Sequence, residues 1–264
     1  MGGVRAHRLR RYRNPRQAGW DPYDHAHPLL RWYFYKRLDV ALRMADLSSD
    51  DTVVDLGCWM GHLEVSLVER ARRVIGVDRA DEICSEPYFE ARVAGWHCLQ
   101  IAQEMLQTEV PRLQDKCLLI RGDMMNLPLS SASVDVVFCL DALEHVPDLQ
   151  HVLREVQRVL KSRGVFLTAL PIEFGPALAI RQAAGKITSF YREPYSVGDL
   201  VKTLLTNAVP VETERGGMHH AGYDWRRDVE SIGKSFAIEA IEYVPLKVLA
   251  TANPTVLVKA RKTA

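Results

Sequence analysis

TVVDLGCWMG, residues 52–61, decides how the rest of the chain is read. Thr52 to Leu56 is a short apolar run rich in β-branched residues, with the acid Asp55 near its end. Such a run reads as a buried strand. Gly57 follows at once and Gly61 comes four residues later, after which Leu63, Leu67 and Val68 recur at helical spacing. A strand, a glycine turn and a helix start form a ligand cradle. The helix start offers unsatisfied N–H groups and a partial positive charge, and glycine lets a ligand approach without a Cβ in its way. Taken alone, the same residues also describe a tight turn in any α/β protein.

Moving outward, Arg73 to Asp78 (RVIGVD) is a second strand ending in an acid, 23 residues beyond Asp55. That separation suits one strand–helix–strand unit. An acid at such a strand end can accept hydrogen bonds from both ribose hydroxyls of a nucleotide cofactor, or simply cap the following turn. Glu82 to Pro87 reads as a loop, and Phe89 to Val110 has helical spacing up to Pro111. Cys117 to Arg121 predicts a third strand, leading into Gly122-Asp123-Met124. Val134 to Leu140 predicts a fourth, leading into Asp141-Ala142-Leu143-Glu144-His145. Val152, Val156, Val159 and Leu160 mark a helix that stops at a turn around Gly164, and Val165 to Leu170 is a fifth strand.

This alternation predicts a doubly wound, mostly parallel sheet, whose ligands sit at the carboxyl ends of the strands. Asp55, Asp78, Asp123 and Asp141 all fall at or just past such ends. Packing does not explain four acids on one rim. The dinucleotide pattern GxGxxG is disfavoured, because Trp59 and His62 stand where it needs glycines.

The composition, 47% hydrophobic and 25% charged over 264 residues, suits one large domain with insertions. Net charge is +1, so no global bias toward nucleic acid exists. Residues 1–20 nevertheless hold six arginines and no acid, leaving 28 basic against 33 acidic residues elsewhere. Residues 1–25 therefore read as a flexible basic arm, with RNA or an anionic membrane as the sharper alternatives. Five cysteines without a CxxC pair fit reduced core thiols and a cytoplasmic default.

Within an N-terminal helical stretch, 26–50, Leu30, Phe34, Leu38 and Leu42 make one apolar stripe. Beyond the fifth strand, 172–224 mixes apolar and basic residues, followed by the loop GGMHHAGYDWR (216–226) with Asp224 as a helix N-cap. Val197 to Thr206 predicts a helix, and Ala237 to Tyr243 and Pro254 to Ala260 predict two last strands. No metal site is expected, since the adjacent His219 and His220 lack ligand spacing.

Four stretches carry a family resemblance: VVDLGCWMG (53–61), VIGVD (74–78), GDMMNLP (122–128) and DVVFCLDALEHVPDLQHVLREVQRVLKSRGVFL (135–167). Together they resemble the class I S-adenosylmethionine-dependent methyltransferases, most closely the ubiquinone-biosynthesis-like small-molecule group. The resemblance implies a seven-stranded Rossmann-like sheet over residues 51–264, closed by an antiparallel pair, with a cap insertion at 172–224. It implies S-adenosyl-L-methionine as cofactor. Asp55 and Gly57 would line the pocket of its methionine portion, with Gly61 closing the turn. Asp78 would hold the ribose. Asp123 and the Met124 N–H would meet the adenine, and the carbonyls near Leu140 would lie close to the sulfonium. Trp59 stands where the family usually has a glycine. Turned inward, its indole would narrow the pocket; turned away, it would leave the turn intact.

The implied activity is methyl transfer to a small-molecule or lipid-like acceptor. His145, His219 and His220 are candidate bases, and Tyr223 and Tyr191 candidate orienting hydroxyls. The alternatives are a non-catalytic binding or regulatory protein on the same fold, and an RNA methyltransferase using the basic arm. Nucleic acid is the disfavoured partner, and peripheral membrane contact and oligomeric state stay open.

Overall fold

Thr52–Leu56 forms strand β1, buried along its whole length. Its alternate residues feed two different cores: Val53 joins the layer on one side of the sheet, Val54 and Leu56 the layer on the other. A strand buried on both faces is the signature of the centre of a parallel sheet. The computed structural model describes residues 4–12, 21–79, 98–188, 195–210, 220, 222–247 and 250–263.

Beside β1 lie β2 (Arg73–Asp78), β3 (Cys117–Arg121), β4 (Val134–Leu140), β5 (Leu160–Pro171), β6 (Ala237–Val244) and β7 (Thr255–Arg261). Their order across the sheet is β3-β2-β1-β4-β5-β7-β6. The first five run parallel, and β7 pairs antiparallel with both β5 and β6. The doubly wound sheet with a closing antiparallel pair is thus as the sequence predicts. The winding reverses between β1 and β4, which fixes where a ligand crevice opens.

Helix α1 (Pro28–Ala45) starts at a proline in its first turn, which supplies the right φ and lacks only an N–H that would be unpaired there. It packs over one face with α2 (Glu64–Leu67) and α3 (Cys98–Glu109). The other face is covered by α4 (Leu149–Val159) and α7 (Trp225–Ser235). Val152, Leu153, Val156 and Val159 of α4 are fully buried, at about 1.5–3 kcal/mol of burial per side chain. Asp224 caps α7 as expected, its carboxylate accepting the Arg226 backbone N–H at 3.1 Å. After β5 come α5 (Gly175–Thr188) and α6 (Val197–Thr206), which pack on each other in the region expected for a cap. A reciprocal capping box between Ser196 and Asp199 opens α6. Among the described residues no helix is long and apolar enough to cross a membrane.

Three expectations need correction. The helix expected from Gly61 is a single turn. The strand expected at Val165 begins at Leu160, where the backbone is already extended and pairs with Val134. The flexible basic arm over 1–25 is not what the described part of that segment shows. Ala6, Tyr12, Asp21, Tyr23 and His25 are buried. The reason is Glu109 at the end of α3, whose carboxylate accepts the backbone N–H groups of Arg10, Arg11 and Tyr12 and meets His7 at 3.1 Å. Burial would push that carboxyl up, but these donors hold it below the ordinary value. Arg8 is likewise paired, with Asp39 of α1 at 2.8 Å. The positive charge that looked like a nucleic-acid arm is partly tied to the protein's own acids.

Candidate functional site

The four acids predicted for the rim stand on the adjacent strands β3, β2, β1 and β4 or on the turns leaving them. Gly57 (φ +77°) and Gly61 (φ +81°) bracket the β1 turn in left-handed backbone. The Gly57 and Cys58 N–H groups both reach the Val77 carbonyl, at 2.8 and 3.3 Å, which lays the turn across the end of β2. There Asp78, buried, accepts the Trp59 N–H at 2.8 Å. Trp59 itself has φ +47°. A left-handed backbone costs a side-chain-bearing residue about 1–2 kcal/mol, which is why glycine suits this position. The charge-assisted hydrogen bond to Asp78 offsets that cost by a similar amount. The indole packs half-buried with the N-terminal layer, its ring 6.1 Å from His62. His62 stacks on Tyr23 at 4.2 Å and pairs with buried Asp21 at 2.9 Å.

Asp123 is half-buried and accepts the Met125 N–H at 2.8 Å, an Asx turn that holds its carboxylate at the end of β3. The Met124 side chain lies 3.9 Å from where a Cβ on Gly57 would stand, so the β3 and β1 turns meet. Leu140 ends β4 half-buried. Asp141, next in sequence with φ +51°, forms an ion pair with Arg37 of α1.

Asp55 has a companion that the sequence reading missed. Glu64, on the first turn of α2, is fully buried and lies against Asp55, whose Oδ1 is also buried. Burial pushes the Asp55 carboxyl up to about 8, with a hydrogen bond from Glu64 pulling it down and the charge of Asp78 adding to the rise. Burial first, and then Asp55, raises Glu64 well above its ordinary value. Both carboxyls are thus pushed toward the protonated form.

A pH dependence follows. An unfolded Asp55 ionises near pH 4, the folded one near 8, so its contribution to stability is complete below pH 4 and declines as pH rises to 8. The variant Asp55→Asn is therefore expected to gain on the unmodified chain from pH 5 to pH 8, by about 1–3 kcal/mol at the upper end. Urea midpoints across that range check it; a constant gap would mean the acid is not held protonated.

The second cluster follows β4. A short 3-10 turn, Leu143–His145, presents Glu144 and His145. His220, far along the chain, comes to meet them: its Nε2 lies 3.2 Å from His145 Nε2 and 3.8 Å from Glu144 Oε1. His220 Nδ1 lies 3.3 Å from Glu173 Oε1, a fully buried carboxylate that also pairs with Arg181. Of the candidate bases, then, His145 and His220 come together. The Tyr223 hydroxyl donates to buried Asp228 at 2.7 Å. His219 and Tyr191 lie outside the described residues. Glu144 and Glu173 were not singled out from sequence, and only the LEHVPD stretch hinted at the first.

The family described as Methyltransferase domain matches residues 54–168. A Mycolicibacterium smegmatis protein named Probable S-adenosylmethionine-dependent methyltransferase is 30% identical over 72% of this chain and 64% of its own length. A ubiquinone biosynthesis O-methyltransferase of Nitrosomonas europaea is 31% identical over 57% of each. The chain thus spans less than two thirds of the length of these relatives. Among solved structures, geranyl diphosphate C-methyltransferase of Streptomyces coelicolor superposes over 99% of this chain and 91% of its own, with TM-score 0.57 and 16% identity, which speaks for the shared fold.

Proposed function

Because this chain carries a domain of the methyltransferase family, we propose that it transfers the methyl group of S-adenosyl-L-methionine to a small, lipid-like acceptor. The observation that supports this most is the joined rim: two left-handed glycines, a buried Asp55, and Asp78 locked to the same turn. When bound, the cofactor supplies an electrophilic methyl on a sulfonium. Asp55 would face the positively charged part of its methionine portion, where that charge would favour the ionised carboxylate. Asp78 would take the ribose hydroxyls, and Asp123 with the Met124 N–H the adenine.

Much of the rate in such a transfer comes from holding donor and acceptor in register while water is kept out. The N-terminal layer serves that exclusion, with Tyr23, His62 and Trp59 packed beside the β1 turn. If the acceptor is a hydroxyl or a carbon acid, its proton leaves toward the cluster of His145 and His220, a contribution of about 10²–10⁴-fold.

A lipid-like acceptor is favoured by the cap. Val197, Val201, Leu204 and Leu205 on α6 are exposed and fall on one helical face, with Ile180 and Ile187 exposed on α5. Relatives named sterol 24-C-methyltransferase and ubiquinone biosynthesis O-methyltransferase carry apolar acceptors in their names, in keeping with that surface.

Calorimetry with S-adenosylhomocysteine tests the proposal. One molecule is expected to bind per chain, and Asp78→Ala to weaken binding 10- to 100-fold, about 1.4–2.8 kcal/mol. Absence of heat with the folded, unmodified chain favours a non-catalytic role on the same fold. Equal affinity in the variant removes Asp78 from the ribose site.

A further inference from the structure

We propose that Glu109 is a positioning residue for the cofactor: its grip on the N-terminal segment holds the turn after β1 in its binding shape, so that docking of the segment and binding of the cofactor are one coupled equilibrium. The inference rests on the methyltransferase proposal for what the turn binds, while the grip itself is read from geometry alone.

Glu109 is the last residue of α3, where the unpaired carbonyls of a helix end disfavour an acid, and it is buried there. The helix gains nothing from a carboxylate in that place. Residues 7–12 do. Glu109 Oε1 accepts the consecutive N–H groups of Arg10, Arg11 and Tyr12 at 2.9, 2.6 and 2.6 Å, and Oε2 meets His7 Nε2 at 3.1 Å. Successive N–H groups that converge on one oxygen make a concave anion seat. Here the seated anion belongs to the same chain, 97 to 99 positions away. Without it the three N–H groups lose their shared acceptor.

The same segment is tied to the cofactor turn. The His7 N–H donates to Ser66 Oγ at 2.8 Å, and Ser66 lies on α2, the helix that follows Gly61. His7 Nδ1 meets Glu69 at 3.0 Å, and Arg70 donates to the Arg5 carbonyl at 2.6 Å. Farther along, Asp21 pairs with His62 at 2.9 Å and Tyr23 stacks on that imidazole. His62 is the residue after Gly61. Helix α3 presses on the same glycine: a Cβ there would stand 2.8 Å from the Ala102 Cβ and 3.1 Å from the Ala102 Cα. The turn is therefore held by α3 and by the N-terminal segment, and Glu109 joins those two holders to each other.

A turn bracketed by two left-handed glycines has little stiffness of its own and takes its shape from its neighbours. A ligand bound to that turn stabilises the arrangement it binds. By reciprocity, an arrangement already fixed raises the ligand's affinity by the same factor. Such couplings are commonly about 5- to 150-fold. Glu109 stands on α3, apart from the rim acids on β1, β2 and the turn after β3, so its effect on the cofactor travels through the segment.

Limited trypsin digestion of the full chain tests the coupling, read by mass spectrometry at the bonds after Arg10 and Arg11. A protease reaches a pinned backbone only when it opens. Saturating S-adenosylhomocysteine is expected to slow these two cleavages about tenfold or more, relative to cleavage in the rest of the chain. Glu109→Ala should speed them in the free chain and weaken S-adenosylhomocysteine binding about 10- to 50-fold by calorimetry. Glu109→Gln keeps an oxygen for the three N–H groups and should recover most of both. Circular dichroism confirms folding of each variant, and protection of the unmodified chain decides the matter if Glu109→Ala does not fold. Bound S-adenosylhomocysteine that leaves both cleavages unchanged overturns the positioning role. So does a folded Glu109→Ala with the affinity of the unmodified chain, since the carboxylate would then serve stability alone. A folded, unmodified chain that binds no S-adenosylhomocysteine overturns the methyltransferase proposal and the positioning role together.

Discussion

Replacing Gly57 with alanine is expected to lower stability by about 2–5 kcal/mol and to weaken S-adenosylhomocysteine binding more than 100-fold. Two costs add. A Cβ on residue 57 would stand 2.5 Å from the Ala142 Cβ, well inside contact distance, and Ala142 is buried on the turn that leaves β4. Overpacking of this kind costs about 1–3 kcal/mol. The φ of +77° adds a left-handed penalty of about 1–2 kcal/mol for any side chain. Relief of the clash must also push the β1 turn away from the β4 turn, and both turns border the proposed cofactor site. The double variant Gly57→Ala with Ala142→Gly separates the two costs. It should regain the packing share and keep the backbone share. A single variant within about 0.5 kcal/mol of the unmodified chain, with affinity unchanged, would show that the two turns do not meet as described.

The second large effect is expected at Arg37. Its guanidinium pairs with Asp141, points a second nitrogen at the Tyr23 hydroxyl 3.4 Å away, and lies 4.7 Å from the Phe34 ring centroid. Arg37 is buried and Asp141 half-buried. Arg37→Met keeps the stem but leaves Asp141 without its counter-charge. Breaking a fully buried pair costs about 3–5 kcal/mol; the partial exposure of Asp141 brings this to about 2–4 kcal/mol. Because Asp141 begins the turn that carries Glu144 and His145, the loss is expected to reach the acceptor side of the site as well. Urea denaturation of Arg37→Met, Asp141→Asn and the double variant tests it. The double variant should be more stable than Arg37→Met alone, since no stranded charge remains. Strictly additive losses would sink the idea that the two groups act as a pair.

Most of the fold could be read from residues close in sequence. The acid at the end of β2, the glycines after β1 and the α4 stripe each declare themselves within a window of ten residues. The same holds for the acids after β3 and β4, which is why the rim was legible before the structure. What could not be read depends on pairs remote in the chain. Arg37 meets Asp141 across 104 positions, His220 meets His145 across 75, and His7 meets Glu109 across 102. No periodicity records such meetings. Glu64 was missed for a different reason: a carboxylate in an apolar run looks like a solvated residue until its partner Asp55 is seen to be buried too. The arginines of the N-terminal segment misled because charge counts carry no information about which acids of the same chain will answer them. His220 escaped notice likewise, since it and His145 belong to separate turns that only the fold brings together.

The placement of β7 bears on how the molecule is made. It lies between β5 and β6, and among the described residues β6 has no other neighbour in the sheet. As the chain emerges from a ribosome, β6 therefore waits unpartnered until Arg261 has cleared the exit tunnel. The half of the sheet that carries Asp55, Asp78 and Asp123 can assemble well before then, so the nascent chain acquires its acid-lined rim earlier than its finished edge.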